Sequence, residues 1–512
     1  MALVDFNACG AAPQLSWISY DHTIIGCGAI GIHLGLQLAK KGRKVLIIES
    51  GQVGEHGDRQ ALNASILNRE DLDGSIHWGR KRALGGSTIR WGGQALPFKK
   101  IDFESRPWTQ CTQWPIEWDD LAPHYREAET YLGVSHVDYY LGGVNELKLK
   151  SPIHSDSLEY HVAKWASEPN MFRRHRRTID ASLDVLYNAN CTGVKRNPHR
   201  VESIEIRNFS GLAIQIPIQN LVLANGGVES VRSLMAFQLS QSPALGRGFM
   251  EHPCMDLGTV QTKNMLELQR YFSTRMIGRQ KYSFRISLSE TVQKEFQLLN
   301  ASCGLMFESP PDAPDILDRF KTFLSKKELS PLVSVLGRPN ELLLTIGCFL
   351  RHGFVYKPHA LCRLTVMSEQ EPIPTSRLSL DLTEKDQFGI PKLRVDWNIS
   401  SLTYSSILHL GQSVKSELER SLPVRVQLRP ELQSERLHEL DHILTPVNHH
   451  MGGAIMGTDP ESSVVNEQLK IHGLENVFVT SSSVFPSGSH SNPTLTALAL
   501  GGKLASFLTS FP

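Results

Sequence analysis

The sequence has little net charge, no closely spaced cysteines and no long apolar run. Its 53 Lys and Arg against 52 Asp and Glu give a formal net charge of +1, which provides no general field for attracting nucleic acid. The 8 cysteines form no Cys-x-x-Cys pair and no His/Cys cluster with zinc spacing, so we expect reduced thiols in a cytoplasmic protein and no metal. No signal-like segment opens the chain, and the most apolar stretch, 342–355, is too short for a bilayer of about 30 Å. We predict no nucleic-acid partner and no transmembrane segment, and a buried helix at 342–355, with an interfacial or lid helix as the alternative.

What the chain does contain is a strand–turn–helix–strand unit near its start. Residues 22–25 predict a short buried strand, followed by the turn Gly26-Cys27-Gly28-Ala29-Ile30-Gly31. Residues 32–41 predict a helix, and 44–49 predict a second strand, parallel to the first because such crossovers are right-handed.

The glycine spacing of this turn is typical of dinucleotide binding. Gly26 permits the tight turn, Gly28 lets the backbone approach a pyrophosphate, and Gly31 allows close packing of helix on strand. Glu49 ends the second strand, where it can accept hydrogen bonds from ribose hydroxyls and disfavours a 2′-phosphate. These residues favour NAD or FAD over NADP and do not distinguish between the first two.

A second glycine-rich loop lies at residues 82–93, with the sequence RALGGSTIRWGG. It offers backbone N–H groups and hydroxyls to another surface of a cofactor, although a purely structural glycine turn is the alternative.

Further elements of the same kind come much later in the chain. Buried strands are predicted at 220–227 and 473–480, and a final helix at 494–508. Between them, residues 377–382 and 392–397 alternate polar and apolar side chains, which predicts a hairpin in a half-exposed antiparallel sheet.

The 512 residues are enough for several domains. We predict an α/β protein in which a Rossmann-like cofactor domain is assembled from residues 20–254 and 441–512. An antiparallel-sheet substrate domain, 255–440, is predicted to be inserted into it.

Two blocks near the end of the chain carry candidate proton-transfer groups. The first, residues 448–460, contains His449 and His450 among glycines, and the second, 483–496, contains His490 and Asn492. A neutral imidazole suits proton abstraction, and an amide can orient an alcohol oxygen without competing for its proton.

Taken together, these motifs resemble the glucose–methanol–choline oxidoreductases, and most closely their sugar-oxidising, pyranose-oxidase-like branch. The similarity runs through residues 20–260 and 365–510. It rests on the two glycine motifs, on both terminal blocks, and on the segments Trp114–Ile116, Leu121–Glu129, Leu223–Ser230 and Asp459–Gly473.

The resemblance implies oxidation of an alcohol group, on a sugar, polyol or related compound, by hydride transfer to the N5 atom of FAD. It implies that His449 is the general base and Asn492 its catalytic partner, with O2, a quinone or a protein as electron acceptor. The cofactor-binding residues predicted from the motifs and the resemblance are Gly26, Gly28, Ala29, Gly31, Glu49, Arg82, Gly85, Gly86, Ser87, Trp91, Gly92, Gly93, Val194, Ala224, Asn492 and Pro493.

The sequence departs from this family pattern in two places. Gly453 and Ile455 replace a usual Thr and Arg, which removes polar groups near His449. Arg90 stands where some members carry a His bonded to the flavin, so we predict noncovalent FAD. A non-redox lyase on the same scaffold and a flavin-binding pseudoenzyme in a pathway complex are the alternative functions.

Three other features have mainly structural interpretations. We expect His450 and His490 to be structural histidines, and the basic run 173–177 to be a solvated helix face. Arg363 and Glu369 fall in the substrate region, but no spacing singles them out.

Overall fold

Apolar segments separated by glycine turns form two large sheets, one parallel and one antiparallel. The computed structural model describes residues 3–8, 19–310, 316, 319, 338–433 and 437–510.

The first sheet is parallel and has six strands. Its central strands are apolar along their length, as expected for a sheet covered on both faces. In spatial order they are β1 (Leu3–Asp5), β7 (Asp184–Tyr187), β3 (Val45–Glu49), β2 (His22–Ile25), β11 (Leu221–Leu223) and β20 (Val477–Val479).

The second sheet is antiparallel and has eight strands. Along its path they are β19 (Val424–Leu428), β12 (Cys254–Thr262), β16 (Leu361–Ser368), β15 (Ala301–Glu308), β14 (Gln280–Leu288), β6 (Leu158–Trp165) and β5 (Gln94–Ala95), with β13 (Arg275–Ile277) beside β14.

Helices cover both sheets. In chain order they are α1 (Ala29–Lys40), α2 (Gly57–Gln60), α3 (Asp73–Ile76), α4 (Lys100–Phe103), α5 (Trp118–Leu132), α6 (Leu141–Glu146), α7 (Met171–Ser182), α8 (Gly227–Ala236), α9 (Met265–Phe272), α10 (Glu290–Glu295), α11 (Pro339–His352), α12 (Ser401–Ser421) and α13 (Pro493–Ser510). Short 3₁₀ helices occupy Ala61–Asn63, Glu70–Leu72, Gly86–Ile89, Pro430–Gln433, Leu437–His442 and Ser482–Val484.

The predicted hairpin forms, but not in the large antiparallel sheet. Its strands β17 (Arg377–Lys385) and β18 (Pro391–Asp396) pair with each other, and β18 pairs in parallel with β4 (Ser65–Leu67). The apolar side chains of this hairpin pack into the core of the parallel sheet, so its placement in the substrate sheet was wrong. A third small sheet contains β10 (Ala213–Pro217), β9 (Val201–Arg207) and β8 (Asn190–Arg196).

Two hydrophobic cores match the two large sheets. We therefore propose a cofactor domain of residues 20–254 and 441–512 and a substrate domain of residues 255–440. Two elements pack in the core of the other domain. Strand β6 belongs to the antiparallel core, whereas the β17–β18 hairpin belongs to the core of the parallel sheet.

The predicted helix at 342–355 forms as α11, but it is not buried. Leu343 is 67% exposed and Leu350 is 80% exposed, so the expectation of a buried helix was wrong. Within the described parts of the chain, no helix combines the length and apolar character needed to cross a bilayer.

Candidate active site

One cavity of about 760 Å³ connects the carboxyl ends of the parallel strands with the two terminal blocks. The turn after β2 lines one part of it, and His449 and Asn492 line another. Residues more than 400 positions apart therefore face the same space.

The turn after β2 is built for close backbone approach. Gly26 has φ +109°, which favours glycine, and a Cβ at Gly31 would lie 2.0 Å from the Gly26 carbonyl oxygen. Gly28 begins α1 without a capping side chain, and the first turn of α1 contains no acidic residue. The positive end of the helix is thus directed at the cavity, as an anion-binding site requires.

Glu49 is held against this turn by backbone groups. One carboxylate oxygen accepts from the N–H of Cys27 (2.9 Å) and the other from that of Gly51 (2.8 Å). Burial raises the pKa of Glu49 above its usual value, although these hydrogen bonds and Arg82 act in the opposite direction. The carboxylate lines the cavity while it also stabilises the turn.

The second glycine loop packs directly on the first. The N–H of Gly85, at φ +99°, donates to the Cys27 carbonyl oxygen (2.8 Å). A Cβ at Gly86 would lie 2.9 Å from the Cα of Gly28, so the backbones of the two loops are in direct contact and leave no room for a side chain at Gly86. The indole of Trp91 donates to the Pro169 carbonyl oxygen (2.6 Å), which fixes its ring at the cavity wall.

Most of the predicted cofactor-binding residues line this cavity. Three do not. Gly31 packs the helix on the turn, and Gly85 of the second loop contacts the first loop. Val194 packs against the core, while Cys191 and Thr192 of the same strand reach the cavity. The predicted residues that line the cavity are Gly26, Gly28, Ala29, Glu49, Arg82, Gly86, Ser87, Trp91, Gly92, Gly93, Ala224, Asn492 and Pro493.

His449 and Asn492 are in direct contact. The Nδ2 atom of Asn492 lies 3.0 Å from Nε2 of His449, and the Nδ1 atom of His449 lies 2.9 Å from Nδ1 of His252. The His252 Nε2 atom lies 3.2 Å from the Gly488 carbonyl oxygen. The buried Oδ1 atom of Asn492 has no hydrogen-bond partner among the described residues, so it is available to a ligand.

The electrostatic surroundings keep His449 neutral. Burial lowers its pKa well below the usual value, and His252, His450 and Arg285 lower it further. Burial also lowers the pKa of His252 to about 4. Both imidazoles are therefore uncharged at neutral pH, and the His449 ring can accept a proton.

A buried carboxylate, Glu251, holds the backbone beneath the site. Its side chain accepts from the backbone N–H groups of His449 and His252 and from the hydroxyl of Ser75 (2.9 Å). His450 lies 2.9 Å from the same hydroxyl. Burial raises the pKa of Glu251 to about 7, against the effect of these hydrogen bonds.

The unusual Gly453 has a conformational explanation. Its φ is +86°, and a Cβ there would lie 3.1 Å from the Val231 side chain. A threonine, which is β-branched, would be strained in this left-handed conformation. The polar support missing from this block comes instead from Ser75 and Glu251.

The remaining sequence candidates lie away from the cavity. His490 is buried against His161 with ring centroids 5.3 Å apart, and it does not line the cavity. In the basic run 173–177, Arg173 is exposed and pairs with Glu168, as expected for a solvated helix face. His175 departs from this expectation, because its ring is partly buried and stacks on Tyr131 at 4.3 Å.

Glu369 is paired with Arg106 through two hydrogen bonds of 2.7 and 2.6 Å, with both side chains almost fully buried. This arrangement is a structural ion pair and not a free substrate contact. Arg363 is paired with Asp256 at 3.0 Å in a partly exposed position.

Sequence reasoning missed the polar groups that support the site. Besides Glu251 and His252, Glu229 lines the cavity within 3.2 Å of three guanidinium groups, those of Arg80, Arg82 and Arg232. A Glu-His pair before a proline, at 251–253, was the available signal for the first two. Glu229 lies in the segment Leu223–Ser230 of the family resemblance, but it was not singled out there, because a single Glu in a helix is usually a surface residue.

The cavity fits a flavin dinucleotide. The uncapped start of α1 suits a pyrophosphate, and the facing glycines of the two loops leave room for a ligand against bare backbone. Aromatic and polar groups at Trp91, His449 and Asn492 line the same space, where an isoalloxazine ring and a substrate would meet.

Comparisons with known proteins agree with this geometry. Residues 374–501 match the family model described as GMC oxidoreductase. The fructose dehydrogenase large subunit of Gluconobacter japonicus is 29% identical to the chain, over 95% of this chain and 97% of that protein. The 6'''-hydroxyparomomycin C oxidase of Streptomyces lividus is 22% identical, over 96% of this chain and 91% of that protein.

Among solved structures, pyridoxine 4-oxidase from Mesorbium loti superposes with a TM-score of 0.58 at 16% identity. The match covers 96% of this chain and 99% of that one. The predicted fold class, a Rossmann-like α/β protein with an additional antiparallel sheet, is confirmed.

Proposed function

We propose, for a chain that belongs to the GMC oxidoreductases, that His449 is the general base in the oxidation of a sugar or polyol hydroxyl. The predicted family, enzyme class and cofactor are confirmed: the chain is an FAD-dependent oxidoreductase acting on CH–OH donors. The base, its partner and the substrate class are the proposal.

The main support for this proposal is the shared cavity. The dinucleotide turn and the His449–Asn492 pair both line it, so a bound cofactor can contact the substrate carbon while the proton acceptor contacts the oxygen on that carbon. When bound, FAD supplies the acceptor for the hydride that leaves the carbinol carbon.

The protein groups handle the hydroxyl. A substrate O–H replaces the Nδ2 amide of Asn492, which lies 3.0 Å away, as the donor to Nε2 of His449, and that amide donates instead to the substrate oxygen. The proton then passes from the hydroxyl to Nε2. The alcohol loses a proton from oxygen and a hydride from carbon, and a carbonyl product remains.

The substrate class is inferred from relatives. Proteins similar over almost the whole chain are named for fructose and for 6'''-hydroxyparomomycin C, and both names describe hydroxyl-bearing compounds. The relatives' names include both dehydrogenase and oxidase, so O2, a quinone and a protein all remain candidate electron acceptors.

The test is anaerobic reduction of the protein-bound flavin by a panel of sugars and polyols. We expect bleaching by at least one of them, and a decrease of about 10²–10⁴-fold in the reduction rate for His449→Ala with FAD content unchanged. His33→Gln, which changes a buried histidine away from the cavity, is the matched control. Equal reduction rates in His449→Ala and the wild type would overturn the assignment of the base, and turnover of another substrate without bleaching would favour a lyase.

We also propose that FAD is bound noncovalently. The residue before Trp91 is Arg90, whose guanidinium is ion-paired with Glu55. Burial raises the pKa of the cavity-lining Cys191 thiol to about 12, so it remains protonated and unreactive. Acid precipitation should release the flavin into the supernatant, and intact flavin in the pellet would contradict this prediction.

A further inference from the structure

We propose that His252 is a positioning residue that fixes the imidazole of His449 in the tautomer with its lone pair on Nε2. The idea rests on the proposed function, in which that nitrogen takes the substrate proton. It adds a residue 197 positions away whose side chain does not line the cavity.

The hydrogen-bond chain determines the protonation of each nitrogen in turn. The carbonyl oxygen of Gly488 can only accept, so Nε2 of His252 must carry the hydrogen that it donates over 3.2 Å. A neutral His252 then has its lone pair on Nδ1. The facing Nδ1 of His449, 2.9 Å away, must therefore be the donor.

The protonation of His449 also determines which end of the Asn492 side chain faces it in the cavity. A neutral His449 that carries its hydrogen on Nδ1 presents an unprotonated Nε2 to Asn492. The group facing that nitrogen at 3.0 Å must then be the amide Nδ2, and this leaves Oδ1 of Asn492 free of partners among the described residues. Three separate contacts thus agree on one arrangement.

Ring packing and backbone hydrogen bonds also fix the positions of His252 and His449. Their rings meet edge to face, with centroids 5.0 Å apart and an interplanar angle of 86°. One carboxylate oxygen of Glu251 accepts from the backbone N–H groups of both residues, and Met250 pairs with Met451 through two backbone hydrogen bonds of 2.9 Å. Neither ring can shift without breaking buried hydrogen bonds.

This arrangement suits a base because the contact at Nδ1 requires no reorganisation when Nε2 takes up a proton. When Nε2 of His449 accepts a proton, its Nδ1–H continues to donate to His252, and that hydrogen bond becomes charge-assisted. The charge arises beside a neutral acceptor that is already oriented, which is the usual advantage of a preorganised site.

The experiment compares His252→Leu with His252→Asn in the FAD-bound protein. Leu removes the acceptor, whereas the side-chain oxygen of Asn can occupy the place of Nδ1 and accept from His449. We expect the flavin-reduction rate to fall by about 100-fold or more in the Leu variant with little change in KM, and to recover in large part in the Asn variant.

A readout that is independent of turnover is the tautomer itself. In protein labelled with ¹⁵N-histidine, the signals of His449 are assigned by their loss in His449→Gln. We expect a protonated Nδ1 and an unprotonated Nε2 in the wild type and in His252→Asn, and the reverse in His252→Leu. His33→Asn, at a buried histidine away from the cavity, should leave both signals unchanged.

An unchanged His449 tautomer in His252→Leu, or Asn and Leu variants that are equally slow, would overturn the role of His252. If His449→Ala reduces flavin normally while the tautomer still depends on His252, the proposed function fails and the positioning effect stands. Retained FAD in each variant separates both outcomes from a folding defect.

Discussion

Asn492→Asp changes the charge beside the proposed base without changing its shape. In the wild type His449 is neutral, since burial lowers its pKa well below the usual value and His252, His450 and Arg285 lower it further. We therefore expect flavin reduction to be nearly independent of pH between about pH 6 and 8.

The size of the change follows from the geometry. The new carboxylate would lie about 3.0 Å from Nε2 of His449, where Asn492 now places its amide. At an effective dielectric constant of about 20, opposite unit charges at this distance attract by about 5 kcal/mol, which is about 4 pKa units. Desolvation of the carboxylate offsets part of this attraction, so the net expectation is a higher pKa for His449 than in the wild type.

The assay is the pH dependence of the flavin-reduction rate under anaerobic, single-turnover conditions. His449 acts as a base only when its imidazole is unprotonated, so a raised pKa should make the reduction rate of the Asp variant fall at a higher pH than that of the wild type. Asn492→Ala is the control because it removes the amide without adding charge, and it should be slower at every pH without this shift. Identical pH profiles for the two variants would refute the placement of His449 as the base.

Three further predictions concern the framework of the site. Glu369→Gln leaves the buried guanidinium of Arg106 without its partner and should lower the free energy of unfolding by about 3–5 kcal/mol in denaturant titrations; a loss below about 1 kcal/mol would argue against this ion pair. Gly31→Ala places a Cβ 2.0 Å from a carbonyl oxygen and should yield protein without FAD, whereas Gly347→Ala, with open space around its Cβ, should bind FAD fully. Burial alone would raise the pKa of Glu229, but the charges of three arginines outweigh it and lower this pKa to about 2. The pKa of Glu in an unfolded chain is about 4.3, so Glu229 stabilises the fold by about 3 kcal/mol above about pH 4.3, and this stabilisation is lost as the pH falls toward 2. Glu229→Gln should be less stable at neutral pH and should show a weaker dependence of unfolding on acid; an unchanged acid profile would count against this ion cluster.

Local motifs were predictable from the sequence because the chemistry lies within a few residues. The turn at 26–31 combines a strand, three spaced glycines and a helix, and β2 (His22–Ile25) has the predicted bounds. The helix begins at Ala29 and not at 32, because the residues of the glycine turn themselves form its first turn. Helix boundaries are difficult to predict where capping uses backbone in place of a side chain.

Pairings between distant segments were not predictable in the same way. The alternation at 377–382 correctly predicted a hairpin, but alternation does not specify which sheet the hairpin joins, and here the partner is β4 (Ser65–Leu67). His252 contacts His449 across 197 positions, and a single buried polar residue has no periodic signature. The sequence thus predicted the proposed reacting groups, His449 and Asn492, but not the buried groups that contact them.

The loop after His449 is the main evidence for the pseudoenzyme alternative. It lacks the Thr and the Arg usual in the family, which would mean a weakened site if the polar support for His449 had to come from this loop. At Gly453 the backbone has φ +86°, so this loop is shaped for glycine, and its neighbours there are apolar. Support comes from the facing segment, where Glu251 accepts from the backbone N–H of His449 and the imidazole of His252 lies 2.9 Å from its ring. A buried carboxylate and a buried imidazole each cost desolvation free energy unless their hydrogen bonds are made, and here both make hydrogen bonds to the same histidine. The altered loop therefore argues for a rearranged catalytic site and not for its loss.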